Sequence, residues 1–185
     1  RLVLGGVAIS SLFGAIQATL LLQAEDGRIQ AALNWLIGSL NARGWQEIKF
    51  TALPILIALF IGLFLYRQLN LLSLGDDLSV SLGTSLFRSR CLIGAIATLL
   101  AACAVSIGGL IGFIGLIVPH FSRLLIGNDF KYILPFSALI GALTLSSADL
   151  ISRLGPIEIP VGIVTALLGA PVFMIILYKR TNYKK

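Results

Sequence analysis

Charge placement constrains this 185-residue chain more than any other feature: nearly all 14 Lys and Arg residues sit in short gaps between long apolar stretches. A helix needs roughly 20 apolar residues to cross the hydrocarbon core of a bilayer, and several such stretches are present. A soluble protein with buried helices would need more polar surface than 12% charged residues supply. With 57% of its residues hydrophobic, the chain is expected to fold as an all-α, polytopic transmembrane bundle.

Apolar runs and their polar punctuation predict six spans, over about 2–22, 50–66, 91–106, 109–126, 132–151 and 161–178. The fourth is short and broken by glycine. The patch 31–40 is apolar but too short to cross, so it reads as a re-entrant or interfacial helix. With the first helix starting at the cytoplasm, Arg1, Arg67, Arg88, Arg90, Arg123, Lys131, Lys179, Arg180, Lys184 and Lys185 fall inside. Arg28, Arg43, Lys49 and Arg153 fall outside, ten basic residues against four. The positive-inside rule selects that orientation, with a cytoplasmic C-terminus. Acidic residues lean the other way: Glu25, Asp26, Glu47, Asp149 and Glu158 outside, Asp76, Asp77 and Asp129 inside. The net charge of +6 therefore reports topology and contact with anionic lipid, not nucleic-acid binding.

Cys91 and Cys103 share the third span, about 18 Å apart along a helix, too far for a disulfide. They read as small apolar packing residues. The chain opens on Arg1 and enters a helix directly, as the C-terminal part of a longer protein would, and shows no cleavable signal peptide.

The loop 69–87 has a semi-polar middle bounded by glycines. Gly75-Asp76-Asp77 is a good helix start, because carboxylates complement the positive end of a helix dipole. Gly83 is a good stop, and Thr84 or Ser85 is placed to cap the next helix. The expected result is a short surface helix with Leu78 and Leu82 on one face, either a simple connector or a helix that docks into a cytosolic partner.

Glycines crowd the start of the fourth span at 108, 109, 112 and 115, followed by Pro119. Gly112 and Gly115 would let helices approach closely, and Pro119 removes a backbone donor. Broken helices persist in a membrane only where protein or a water-filled cavity covers the backbone. His120, the single histidine, has no companions at metal-ligand spacing and reads as structural, so no metal site is expected. Asp149 and Arg153 share a helix face four residues apart, either as a local pair or as a functional site. Gly6, Ser10 and Gly14 form a small-residue stripe on the first span. Gly162, Ala166 and Gly169-Ala170-Pro171 do so on the sixth, and such stripes pack helices or line a path between subunits. No catalytic motif and no G-x-x-x-x-G-K-[S/T] phosphate loop is present, so the chain is expected not to be an enzyme.

The stretch IGGLIGFIGLIVPHFSRLLIGND, 107–129, resembles the permease family of type II ABC importers, which take up ferric siderophores, haem and cobalamin. The likeness continues through LSSADLISRLGPIEIPVGIVTALLGAPVFMIILYKR, 145–180, and is visible in WLIGSL, 35–40, and LNLLSLGDDLSVSLG, 69–83. The P-H-x-x-R and L-G-A-P-x-F strings carry it most specifically. The resemblance implies a subunit of about ten helices, of which this chain is similar to the last six, forming one permease domain over 1–185. Segment 69–87 would be its cytoplasmic coupling loop, with Leu74, Gly75, Asp76, Asp77, Leu82 and Gly83 meeting the ATPase. It implies a translocation path or gate at Gly6, Ser10, Gly14, Trp35, Gly38 and Ser39. Packing or kink positions would be Gly112, Gly115, Pro119, Gly169 and Pro171.

Arg153 matches a family arginine that accepts a glutamate from the substrate-binding protein; the family's other outward arginine would lie upstream of this chain. Implied partners are a cytosolic ATPase dimer holding the ATP, an extracytoplasmic binding protein, a second permease subunit and membrane lipid, with no cofactor on the chain itself. The expected setting is the inner membrane of a prokaryote and the expected cargo an iron chelate, with cobalamin or haem as alternatives within the family. From another class, an ion-coupled secondary transporter would need ionisable residues at mid-membrane depth, and the sequence offers almost none.

Overall fold

A computed structural model describes residues 2–24, 26–41, 43–155 and 158–182. Arg1, Glu25, Lys184 and Lys185, used in the charge asymmetry, lie outside the described residues, as do the side chains of Asp26, Arg28, Lys179 and Arg180. Among the described residues the chain is helical throughout: α1 Leu2–Leu22, α2 Asp26–Ile37, α3 Trp45–Phe64, α4 Tyr66–Ser73, α5 Asp76–Ser81, α6 Leu86–Gly108, α7 Ile114–Ile126, α8 Phe130–Ser152 and α9 Val161–Asn182.

Local chemistry sets several of these limits. Glu47 accepts the Gly44 backbone N–H at 2.9 Å, which draws the start of α3 back to Trp45, ahead of the apolar run near 50. The Asp129 carboxylate accepts the Lys131 N–H at 2.9 Å and caps α8. α6 ends where Gly109 takes φ +71°. The fourth expected span is helical only from Ile114, because 109–113 is a series of tight turns. Its 13 residues reach about 20 Å, short of the roughly 30 Å hydrocarbon core. α1, α3, α6 and α8 are long and apolar enough to cross a membrane, while α7 and the apolar stretch Val161–Ile176 of α9 are shorter.

α3 packs against α6, α7 against α8, and α9 lies across both α7 and α8; α4 rests on the start of α8. Exposure is inverted relative to a water-soluble protein. The buried positions include Ser39, Ser79, Ser89, Ser122, Ser152 and Thr165, whereas leucines, isoleucines and phenylalanines line the outside of every long helix. Ser122 donates to the Val118 carbonyl and accepts the Ser137 hydroxyl at 3.0 Å, joining α7 to α8. Small hydroxyl residues inside and large apolar ones outside is the pattern of helices that pack in lipid. A compact apolar cluster of Ala148, Val161 and Val164 sits where α8 meets α9, with Leu40 and Ile111 against it. No residue of α1 from Leu4 to Leu22 is buried.

Candidate functional site

Two groups of residues, at opposite ends of α8, carry the chemistry. At the first end α4 and α5 form a corner. Gly75 takes φ +101° and Gly83 φ +81° on either side of α5, backbone angles that glycine adopts at little cost. The buried Ser79 hydroxyl donates to the Leu71 carbonyl at 2.7 Å and the Gly75 carbonyl at 2.6 Å, which holds α5 against α4. Leu74, Leu78, Val80 and Leu82 are each more than half exposed, and Asp77 is exposed beside them. Asp76 forms an ion pair with Arg90 on α6.

The expected surface helix is therefore present, with Leu78 and Leu82 outward. The side-chain cap suggested for the next helix is not made. Ser85 occupies the capping position of α6 without a side-chain cap bond; the backbone holds this corner instead, through the Thr84 N–H to the Ser79 carbonyl at 3.0 Å.

Sequence reasoning missed Asn70. Its amide N–H donates to Asp129 at 2.8 Å and its carbonyl accepts the Phe130 N–H at 3.0 Å, so α4 is bonded to the first residues of α8. The Asn70 amide, followed by the Lys131 N–H, holds the Asp129 carboxyl below the usual carboxylate range. A lone amide in the apolar run Leu69-Asn70-Leu71-Leu72 was the available signal.

At the second end three distant segments meet on glycine. The Ser39 N–H donates to the Gly108 carbonyl at 2.9 Å, the Leu110 N–H to the Trp35 carbonyl at 3.2 Å, and the Gly162 N–H to the Gly38 carbonyl at 2.9 Å. The Trp35 carbonyl near the end of α2 thus takes a donor from the turn after α6, the Gly38 carbonyl just past α2 one from the start of α9, and the last carbonyl of α6 is bonded by Ser39. Any Cβ would destroy the arrangement: it would lie 2.1 Å from the Trp35 oxygen at Gly109 and 1.8 Å from the Ile37 oxygen at Gly162. Trp35 borders a polar groove of about 450 Å³ with Gln30, Asn34, Asn41, Arg43 and Glu158. Trp35, Gly38 and Ser39 are therefore brought together, whereas Gly6, Ser10 and Gly14 stand apart on exposed α1.

Close approach falls on some of the glycines expected, Gly162 and Gly169, and not on others. At Gly112 and Gly115, as at Gly6 and Gly14, the space a Cβ would fill is open, so none of the described residues packs there. Gly169 is tight, as expected of a packing position, with its Cβ position 2.5 Å from the Phe113 Cβ. Phe113 takes φ +67° in a turn closed by the Ile114 N–H on the Gly112 carbonyl at 2.9 Å, a conformation costing about 1–3 kcal/mol for a residue with a side chain. Its contact with Gly169 places that strain against α9. α7 and α9 run through Pro119 and Pro171 as helices.

Just past α8, Arg153 donates to both oxygens of Asp149, at 2.9 and 3.2 Å, so the local pair is made. Hydrogen bonding to Asp149, then its charge, raises the guanidinium pKa above its ordinary value. The arginine remains nearly half exposed.

The sequence pattern of the FecCD transport family matches residues 1–179. The chain is 43% identical over 178 residues to the Fe(3+)-citrate import system permease protein YfmE of Bacillus subtilis, covering 95% of this chain and 53% of that protein. It is 42% identical over 181 residues to the cobalamin import system permease protein BtuC of Halobacterium salinarum, covering 97% and 48%. A solved structure described as an inward-facing conformation of a metal-chelate type ABC transporter superposes with a TM-score of 0.88 at 37% identity, over 94% of this chain and 57% of the other. The chain spans about half the length of the curated relatives it matches.

Proposed function

The chain belongs to the FecCD transport family, and on that premise we propose that it serves as the permease of an ATP-driven importer carrying an iron chelate across the cytoplasmic membrane. The observation that carries this reading is a family match running unbroken through the α4–α5 corner and the glycine junction, the two places where the chain departs from plain membrane helices. The corner offers exposed Leu74, Leu78 and Leu82 beside Asp77, a surface suited to a partner's apolar groove with a basic rim. With no phosphate loop in its sequence, the chain draws on ATP through a separate ATPase dimer docked at that corner. Closure of the ATPase pushes on α5, and the path beside α1 of paired subunits opens to one side at a time, with the α2 end and the 38–39 turn as its gate. The relatives' names include both an iron-citrate and a cobalamin importer; the iron chelate is our assignment.

Uptake of radiolabelled ferric siderophores and ferric citrate, with labelled cobalamin and haem alongside, tests both parts in cells with and without the full-length gene. Loss of uptake confined to iron chelates is the expected result. Loss confined to cobalamin or haem overturns the cargo, and unchanged uptake across the panel with paralogues deleted overturns the importer.

Arg153 gives a second test. As the docking point for an acidic side chain of the binding protein, its reversal in Arg153→Glu should raise the half-saturating concentration of loaded binding protein about tenfold, near 1.4 kcal/mol. The readout is stimulation of ATPase activity in the reconstituted complex. Asp149→Asn, which removes the local partner and keeps the arginine, should leave capture as tight or tighter. An unmoved titration in Arg153→Glu would reduce the residue to its pair with Asp149.

A further inference from the structure

We infer that Asn70 is a positioning residue that fastens the coupling corner to α8, making α8 a second link, beside α6, between the ATPase-facing end of the protein and its gate turn. The inference rests on the importer reading above. Its basis is an unbroken series of bonds. α5 is held to α4 by the Ser79 hydroxyl on the Leu71 carbonyl. One residue before Leu71, Asn70 grips α8 twice, through the Asp129 carboxylate and the Phe130 N–H. α8 then runs 23 residues, about 35 Å.

Pro135 leaves one backbone bond open early in this helix, but Ser137 ties the next turn to Ser122 of α7. At the far end the Ser152 carbonyl accepts the Ile159 N–H at 3.1 Å, and Gly162 follows three residues later with its N–H on Gly38. A displacement of α5 therefore reaches the 38–39 turn through helices and hydrogen bonds, with Asn70 as the bond that joins corner to rod. Rigid helices and hydrogen-bond networks are the physical carriers of such coupling. Without the Asn70 grip, α4 touches α8 through packing alone, and a small movement of the corner is free to slip.

The test uses the full-length permease reconstituted with its ATPase and binding protein in lipid nanodiscs. The quantity read is the ratio of ATPase activity with saturating loaded binding protein to that without. Asn70→Ala, which removes both grips, should cut this ratio about fivefold. Asp129→Ala, which leaves the Phe130 bond, should cut it by less, and the double variant no further than Asn70→Ala, because the bond the two share is already gone. Asp129→Asn should keep the ratio, since an amide oxygen still accepts from Asn70 and from Lys131. Half-saturation by the binding protein should not move in any of them.

A retained ratio in Asn70→Ala overturns the inference, as does a loss in Asp129→Asn equal to that in Asp129→Ala. Should Asn70→Ala fail to assemble, the contrast between the two Asp129 variants decides. Absence of any stimulation in the unaltered complex is a failure of the importer reading, and is thereby separate from a failure of the Asn70 bond.

Discussion

Gly162→Leu should leave no properly assembled protein, the largest effect on folding expected of any single exchange described above. The Cβ it adds would sit 1.8 Å from the Ile37 carbonyl oxygen and 3.0 Å from that of Gly38, and both obstacles are backbone. A flexible side chain moves aside, whereas these carbonyls end α2 and anchor the 38–39 turn. α9 must then withdraw, breaking the Gly162 to Gly38 bond and opening the cluster around Val161 and Val164. Overpacking alone costs about 1–3 kcal/mol, and a lost buried backbone bond adds about 1–3 more. Gly94→Leu and Gly112→Leu enter open space and serve as controls at glycines of the same chain. Thermal melting of the detergent-solubilised full-length protein, followed by size-exclusion fluorescence, should show both controls close to the parent and Gly162→Leu absent from the monodisperse peak. A parent-like melt for Gly162→Leu would mean that α2 and α9 do not meet as described.

The second large effect is on transport. Asp77→Lys and Gly83→Leu should each lower ATP-driven uptake at least about tenfold, an activation difference near 1.4 kcal/mol, while insertion and yield stay intact. Gly83 holds φ +81°, where a residue with a Cβ costs roughly 1–2 kcal/mol. That is enough to tilt the exposed α5 corner and too little to unfold the bundle. Asp77 lies in the first turn of α5, so a lysine there loses about 0.3–1 kcal/mol of dipole complementarity and reverses the charge offered to the ATPase. The measurements are uptake in vesicles alongside ATP hydrolysis by the same complex. Uptake should collapse while hydrolysis persists. Normal uptake in both variants would remove the corner from the coupling path.

What was legible in the sequence follows from which interactions are local. Apolar runs announced α1 and α8 almost to their ends, and Gly75-Asp76-Asp77 with Gly83 announced α5, because each signal lies within the element it specifies. The glycine junction was not legible. Gly38, Gly109 and Gly162 lie in separate segments, and nothing in any one of them says which backbone will come within bonding distance of another. Glycine density pointed to 112 and 115, where there is open space, since a small residue permits close approach without requiring it. Phe113 was hidden for the opposite reason: a phenylalanine gives no warning of a positive φ. Asn70 finds its partner 59 residues along the chain, a distance at which only the fold supplies the pairing.

The serines and threonine that share the interior with small apolar side chains, while many leucines and phenylalanines turn outward, also fix what kind of driving force can hold the inserted helices together. Outward side chains touch hydrocarbon whether the helices are associated or apart, so assembling the bundle releases little ordered water. The large heat-capacity change that accompanies unfolding of a water-soluble domain should be nearly absent here, and with it the strong temperature curvature of stability. What remains is fit: hydroxyls matched to carbonyls, and backbones brought into contact at glycine.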